Sequence, residues 1–153
     1  MSFELNLCAR EIRKTDHDYF LCGLFCDENR MLDYFNLHFF SLECAKIRSS
    51  VNEAHLGLIR LQWWRDFIKN IYLNQSVDNE KGSHSEIKQT IAKRLIDEAL
   101  FERYFNARQF DMEDTAHDDL KAYLRYAEAT GGTISIMKSQ LLDLDFSESF
   151  QKI

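Results

Sequence analysis

The densest chemistry in the sequence lies in Arg60-Leu61-Gln62-Trp63-Trp64-Arg65-Asp66, where two guanidinium groups flank a pair of indoles and a carboxylate follows. Arginine's planar fork can hold a diphosphate or another acidic headgroup directly, without a metal. Equally, Arg60 and Arg65 can pair with Glu43 or Asp66 and serve structure alone; Glu43, on a strongly aromatic segment, needs such a partner once buried. Arg108 and Asp111 stand three apart, a spacing that suits a structural salt bridge and cap at a helix end. Tyr34, Phe35, His38, Phe39 and Phe40 suit the wall of an apolar cavity or a plain core. His38 reads either as a base or as a hydrogen-bonded core histidine.

Metal chemistry finds less support. Cys22 and Cys26 are four apart and share a helical face, but two buried free thiols in a reducing compartment is the simpler reading. His17, His55, His84 and His117 lack the second histidine at i+4 that suggests zinc. Glu113, Asp114, Asp118 and Asp119 read as a solvated helix start, and no third carboxylate follows Asp118-Asp119 at a metal-binding spacing.

Helices must position all of these groups. The chain has no proline and five glycines in 153 residues, too few turn formers for a β-sandwich or barrel. The pattern predicts a first helix over 16–26 and a second from Arg30 to about Val51, apolar around most of its circumference. Asn52 is a candidate cap for a third helix through Leu56 and Tyr72. Residues 74–85 read as a polar, flexible loop, and Ile87–Phe105 as one further helix. A last helix, 118–142, is interrupted by Thr130-Gly131-Gly132-Thr133, where the glycines imply close backbone packing, a kink or a ligand.

Twelve Phe, six Tyr and two Trp call for a wide interior or a cavity. The net charge is −6 and no basic stripe is present, which argues against nucleic-acid binding. No apolar run reaches the length of a membrane span, and the N-terminus does not resemble a targeting peptide. The chain reads as cytoplasmic, with a membrane-peripheral position left open.

Two stretches resemble the squalene/phytoene synthase family, specifically a divergent branch that includes complex I assembly factors and their bacterial relatives. The first runs from Asp16-His17-Asp18-Tyr19-Phe20 to Asp66 and includes Phe39-Phe40-Ser41-Leu42-Glu43-Cys44-Ala45-Lys46-Ile47-Arg48. The second joins Ala107-Arg108-Gln109-Phe110-Asp111-Met112 to Tyr123-Leu124-Arg125-Tyr126-Ala127-Glu128-Ala129-Thr130-Gly131-Gly132. The similarity spans roughly residues 6 to 138. It implies an all-α, isoprenoid synthase-type helical bundle around a deep apolar cavity, with 1–153 a single, incomplete domain forming the N-terminal portion of that fold.

Enzymes of the family join two prenyl diphosphates, using Mg²⁺ held by two aspartate-rich motifs to stabilise the departing diphosphate. The resemblance places the first motif at 45–49, where the aspartates are replaced by Ala45, Lys46 and Ser49, and Lys46 and Arg48 would repel a metal. The second motif belongs beyond the Thr-Gly segment, outside this sequence. The expectation is therefore a non-catalytic assembly or lipid/isoprenoid-binding factor without cofactor. A prenyl diphosphate transferase completed by a partner chain or longer form is the alternative, and only that reading requires Mg²⁺. A decayed remnant is a third. The implied partners are an isoprenoid or lipid ligand and a respiratory-complex or second-half protein. The implied pocket comprises Tyr34, His38, Phe39, Arg60, Trp63, Arg65, Asp66, Arg108, Asp111 and Tyr126.

Overall fold

A computed structural model describes residues 4–75 and 81–144. Among them lie eight α-helices and no strand: α1 (Leu7–Thr15), α2 (His17–Gly23), α3 (Glu28–Lys46), α4 (Ala54–Tyr72), α5 (Ser83–Ala92), α6 (Glu98–Arg108), α7 (Leu120–Ala127) and α8 (Thr133–Leu141). The all-α bundle expected from the sequence is the observed fold.

α3 is the axis of this bundle. Its apolar residues spread around the circumference, so neighbours must cover it on nearly every side, and α1, α5 and α8 pack along it. Phe35, Leu37 and Phe40 are wholly buried. Phe40 meets the rings of Trp64, Phe101 and Phe105 edge-on, at 5.3, 5.7 and 5.9 Å, the geometry that aromatic quadrupoles favour. A smaller apolar cluster gathers Ala9, Ile12, Phe20, Met31, Tyr34 and Phe35, and Phe39 packs against both clusters.

Several sequence expectations are corrected. The predicted helix 16–26 is preceded by α1, which the amphipathic pattern Cys8, Ala9 and Ile12 specifies. Asn6 caps α1 by accepting from the Ala9 N–H at 2.9 Å. Glu86 of α5 accepts from the Leu7 and Cys8 N–H groups at 3.0 and 2.9 Å, satisfying two more of the amides that every helix start leaves unpaired. The long helix from Arg30 ends at Lys46, and a 3₁₀ turn, Arg48–Ser50, follows. Asn52 is no cap, since α4 starts after Glu53 without a side-chain cap.

Ile87–Phe105 is two helices. The break is at Arg94 (φ 54°), whose guanidinium donates to the Tyr72 carbonyl at 2.9 Å and to Asn74 Oδ1 at 2.6 Å. Asp97 caps the restart on the Ala99 N–H. Tertiary bonds from the end of α4 thus override a continuous apolar period. Residues 83–85 of the expected loop open α5, while 76–80 lie outside the described residues. Cys22 is exposed and Cys26 half-buried; the buried thiols are Cys8 and Cys44.

Between α7 and α8 the helix does not break. Glu128–Gly132 forms a π turn, the wide turn that absorbs an extra residue without ending a helix. A Cβ on Gly131 would meet nothing within 4 Å, so close packing does not require this glycine. Close packing does require Gly23, where a Cβ would fall 2.2 Å from Phe35 Cε1, and Gly57, where it would fall 2.3 Å from Met112 Sδ. Gly23→Ala is therefore expected to destabilise the fold by about 1–3 kcal/mol and Gly131→Ala to leave it unchanged or add up to about 1 kcal/mol, as read from urea unfolding. Equal losses in both variants would contradict this division.

Candidate functional site

The pocket residues expected from the sequence do not form one pocket. Most of them fall into three groups around α3, while Arg65, Asp66 and Phe39 stand apart.

The first group surrounds the C-terminal end of α3. Lys46, the last residue of α3, lines a cavity of about 340 Å³ with Glu43, Ser50, Arg60, Trp63 and His84. Arg60 reaches Ser50, donating to Oγ at 2.7 Å, and is not paired with Glu43. Trp63 is 48% exposed and lies 5.3 Å from the His84 ring, on which Trp64 stacks at 5.2 Å. The wall is indole and the rim is cationic. Arg48 is not a bare charge, because it forms a bidentate pair with Asp114 at 2.8 and 2.5 Å. Ala45 and Ser49 are exposed.

A divalent cation does not fit this donor set. Mg²⁺ needs hard oxygen ligands, mainly carboxylates. Positions 45, 46 and 49 offer a methyl, an ammonium and a hydroxyl, and Glu43 is the sole carboxylate lining the cavity. The C-terminal carbonyls of α3 attract positive charge, and Lys46 supplies it.

The second group lies beside α6. Arg108 donates to the Tyr104 hydroxyl at 3.1 Å and to Asp111 Oδ2 and the Tyr126 hydroxyl at 3.0 Å each. Tyr126 donates to Asp111 Oδ1, and the Tyr104 hydroxyl donates to the Ser41 carbonyl at 3.1 Å. Burial first, then the bond to the Asp111 carboxylate, pushes the Tyr126 hydroxyl up to about 12. Arg108 Nε and Nη1, both phenol hydroxyls and both Asp111 carboxylate oxygens are bonded within this knot or to the Ser41 carbonyl. It ties α6 to α3 and α7, which is the salt-bridge reading of Arg108 and Asp111 extended by two tyrosines.

Arg65 and Asp66 belong to neither group. Arg65 lies 3.4 Å from Glu102 and donates to Asn106 at 2.8 Å, bracing α4 against α6. Asp66 is exposed and accepts from Gln62 at 2.8 Å. Phe39 is core.

The third group was only half visible in the sequence. His38, 5% exposed, lies 3.1 Å from Asp16 Oδ2 through Nε2 and 3.1 Å from Lys138 Nζ through Nδ1. Tyr19 stacks on the imidazole at 4.2 Å. Lys138 Nζ sits 4.3 Å from the Tyr19 ring centre and 4.5 Å from that of Tyr34, a cation–π arrangement. Burial, reinforced by the Lys138 charge, lowers the His38 pKa to about 4. The neutral ring therefore donates through Nε2 to Asp16 and accepts at Nδ1 from Lys138. Sequence reasoning missed Lys138, although it lies among Ile134, Met137 and Leu141 on the buried stripe of α8.

Comparison with known proteins matches residues 12–150 to squalene/phytoene synthase. The chain is 23% identical over 137 residues to human NADH dehydrogenase (ubiquinone) complex I, assembly factor 6, covering 90% of this chain and 40% of the relative. The mouse protein of that name is 24% identical over 135 residues, covering 88% and 40%. The chain thus spans about 40% of the length of these curated relatives. No solved structure gives a match.

Because the folded state holds His38 neutral, its pKa falls from about 6.5 unfolded to about 4 folded. The unfolded chain binds the extra proton, so stability is intact above pH 6.5 and falls as the pH drops towards 4, by on the order of 3 kcal/mol. Urea midpoints measured across that range should decline in wild type and decline less in His38→Gln; identical slopes would contradict the buried neutral imidazole.

Proposed function

The chain belongs to the squalene/phytoene synthase family, and from that premise we propose that it is a non-catalytic member: an assembly or lipid/isoprenoid-binding factor rather than a synthase. One observation carries the reading. Where α3 ends, a lysine and an arginine rim an indole-lined cavity, and the donors that would hold a metal are replaced by a methyl, an ammonium and a hydroxyl. Cleaving an allylic diphosphate leaves a large negative charge, and catalysis requires more charge stabilisation in the transition state than in the bound substrate. Lys46 and Arg60 can hold an acidic headgroup, but they leave its departure without the divalent cations on which the family's reaction relies.

Such a site suits an amphiphile, with its anion on Lys46 and Arg60 and its apolar portion along Trp63. Each charge-assisted bond contributes about 1.5–3 kcal/mol. An assembly role is supported by the distant similarity to complex I assembly factor 6 and by the surface of α7. None of its residues is buried, and Leu120, Tyr123 and Leu124 are 69, 51 and 56% exposed. An apolar face of this kind fits a helical protein partner. No described helix is long and apolar enough to cross a membrane.

With Mg²⁺ and farnesyl or geranylgeranyl diphosphate, the purified chain is expected to release no diphosphate above background. It should still bind farnesyl diphosphate without Mg²⁺, and the double variant K46A/R60A should bind at least about tenfold more weakly. Robust turnover by the isolated chain would defeat the proposal. Turnover that arises only on adding a second polypeptide would favour a transferase completed in trans.

A further inference from the structure

The buried cluster of Asp16, His38 and Lys138 has no part in the binding reading above, and the inference drawn from it stands independently of that reading. We infer that Lys138 is an amine nucleophile that condenses with a small aldehyde or ketone entering the cavity it lines, and that His38 is its positioning residue.

The geometry begins with what Lys138 lacks. Among the described residues, Nζ is in contact with an imidazole nitrogen and two phenol rings, and no carboxylate touches it. Asp16, whose carboxylate acts on it through space, lies on the far side of the His38 ring. The groups that face it are Asp16 from the α1–α2 junction, Tyr19 and Cys22 from α2, Cys26 from the turn after α2, and Tyr34 and His38 from α3. An ammonium is costly in such surroundings. Burial lowers the Lys138 pKa to about 8, with Asp16, Cys22 and Cys26 opposing the shift. Roughly one amine in ten is therefore neutral at pH 7, and about half at pH 8.

The amine is also reachable and held. Lys138 lines a cavity of about 190 Å³ with Tyr19, Tyr34, Ser135, Ser139 and Leu142, room for a compound of a few carbons. His38 Nδ1 accepts one N–H of the neutral amine, and Asp16 fixes the ring tautomer that leaves this nitrogen free to accept. The amine lone pair is not consumed by that bond. Ser135 and Ser139 donate their hydroxyl protons to the Gly131 and Ser135 carbonyls at 3.0 and 2.8 Å, so neither competes for it.

The step balances without any redox partner. The ammonium loses its proton to water, and the lone pair adds to the carbonyl carbon as the C–O π bond breaks, giving a carbinolamine. Loss of one water then leaves a C=N bond between Nζ and the former carbonyl carbon. Amine and carbonyl become imine and water. The chemical class implied is a short aldehyde or ketone with an apolar tail, matched to the two tyrosine rings.

The test uses the full chain with propionaldehyde and cyanoborohydride near neutral pH, which reduces any imine to a stable adduct that peptide mass spectrometry locates. Lys138 is expected to label about tenfold faster than the other lysines, with a rate that levels off above pH 8 while theirs keeps rising toward pH 10.4. K138R should lose the fast phase. His38→Leu should slow labelling at Lys138 alone by about tenfold, and His38→Gln, which keeps an acceptor, should restore part of the rate. Labelling of Lys138 no faster than that of the exposed lysines overturns the assignment whatever the variants do. A rate–pH profile that coincides with theirs also overturns it.

Discussion

The whole arrangement depends on one constraint: α3 is buried along its length, yet it carries Asp33, Asn36, His38 and Ser41 on its buried surface. A buried polar group left without a partner costs about 1–3 kcal/mol, and a charge costs more. Asp33, Asn36 and His38 therefore dictate what packs beside them, while the Ser41 hydroxyl donates back to the His38 carbonyl of its own helix at 2.7 Å. Asp33 accepts from Thr90 at 2.8 Å and from Lys93 at 2.6 and 2.7 Å. Asn36 accepts from Asn6 at 2.7 Å and donates to Thr90 at 3.0 Å. These bonds lock α1 and α5 against α3 in one register, while His38 does the same for the α1–α2 junction and α8. Apolar packing alone would tolerate sliding; the polar seam does not.

Much of this was legible in the sequence. The scarcity of turn formers gave the helical class, and the all-round apolar pattern of 30–47 identified the central helix. What escaped notice has physical causes. The break at Arg94 comes from bonds to Tyr72 and Asn74, twenty or more residues away, which no local period can register. Lys138 was obscured because a lysine in a helix usually points to solvent. Its place on the buried stripe was a usable signal, but its histidine partner lies 100 residues away in the sequence. Grouping the candidate residues failed for a similar reason: residue types suggested one pocket, whereas α3 is long enough to hold three separate clusters. Arg65, two residues from Trp63 in sequence, reaches α6, and Asp66 is bonded within its own helix.

The three clusters divide structure from chemistry. In the Arg108–Asp111–Tyr126 knot the guanidinium, the carboxylate and the phenol are bonded to one another. The cavity at the C-terminal end of α3 has a cationic rim, where Arg60 donates to the neutral Ser50, and an apolar wall, as a binding site should. The Lys138 cluster combines burial, a relay of hydrogen bonds and a small cavity, the combination that makes an amine reactive rather than merely charged. In each case the decisive variable is how a charge is compensated: by a fixed counter-charge, by a helix end, or only through an intervening imidazole.

The central claim is that protein cations stand where a divalent ion would otherwise sit. It is tested most directly by titrating the chain with Mn²⁺, a spin-active stand-in for Mg²⁺, with and without a prenyl diphosphate, and following free metal by electron paramagnetic resonance. The account predicts no stoichiometric Mn²⁺ site in either condition. One or two ions bound per chain, and released in Glu43→Gln, would contradict it.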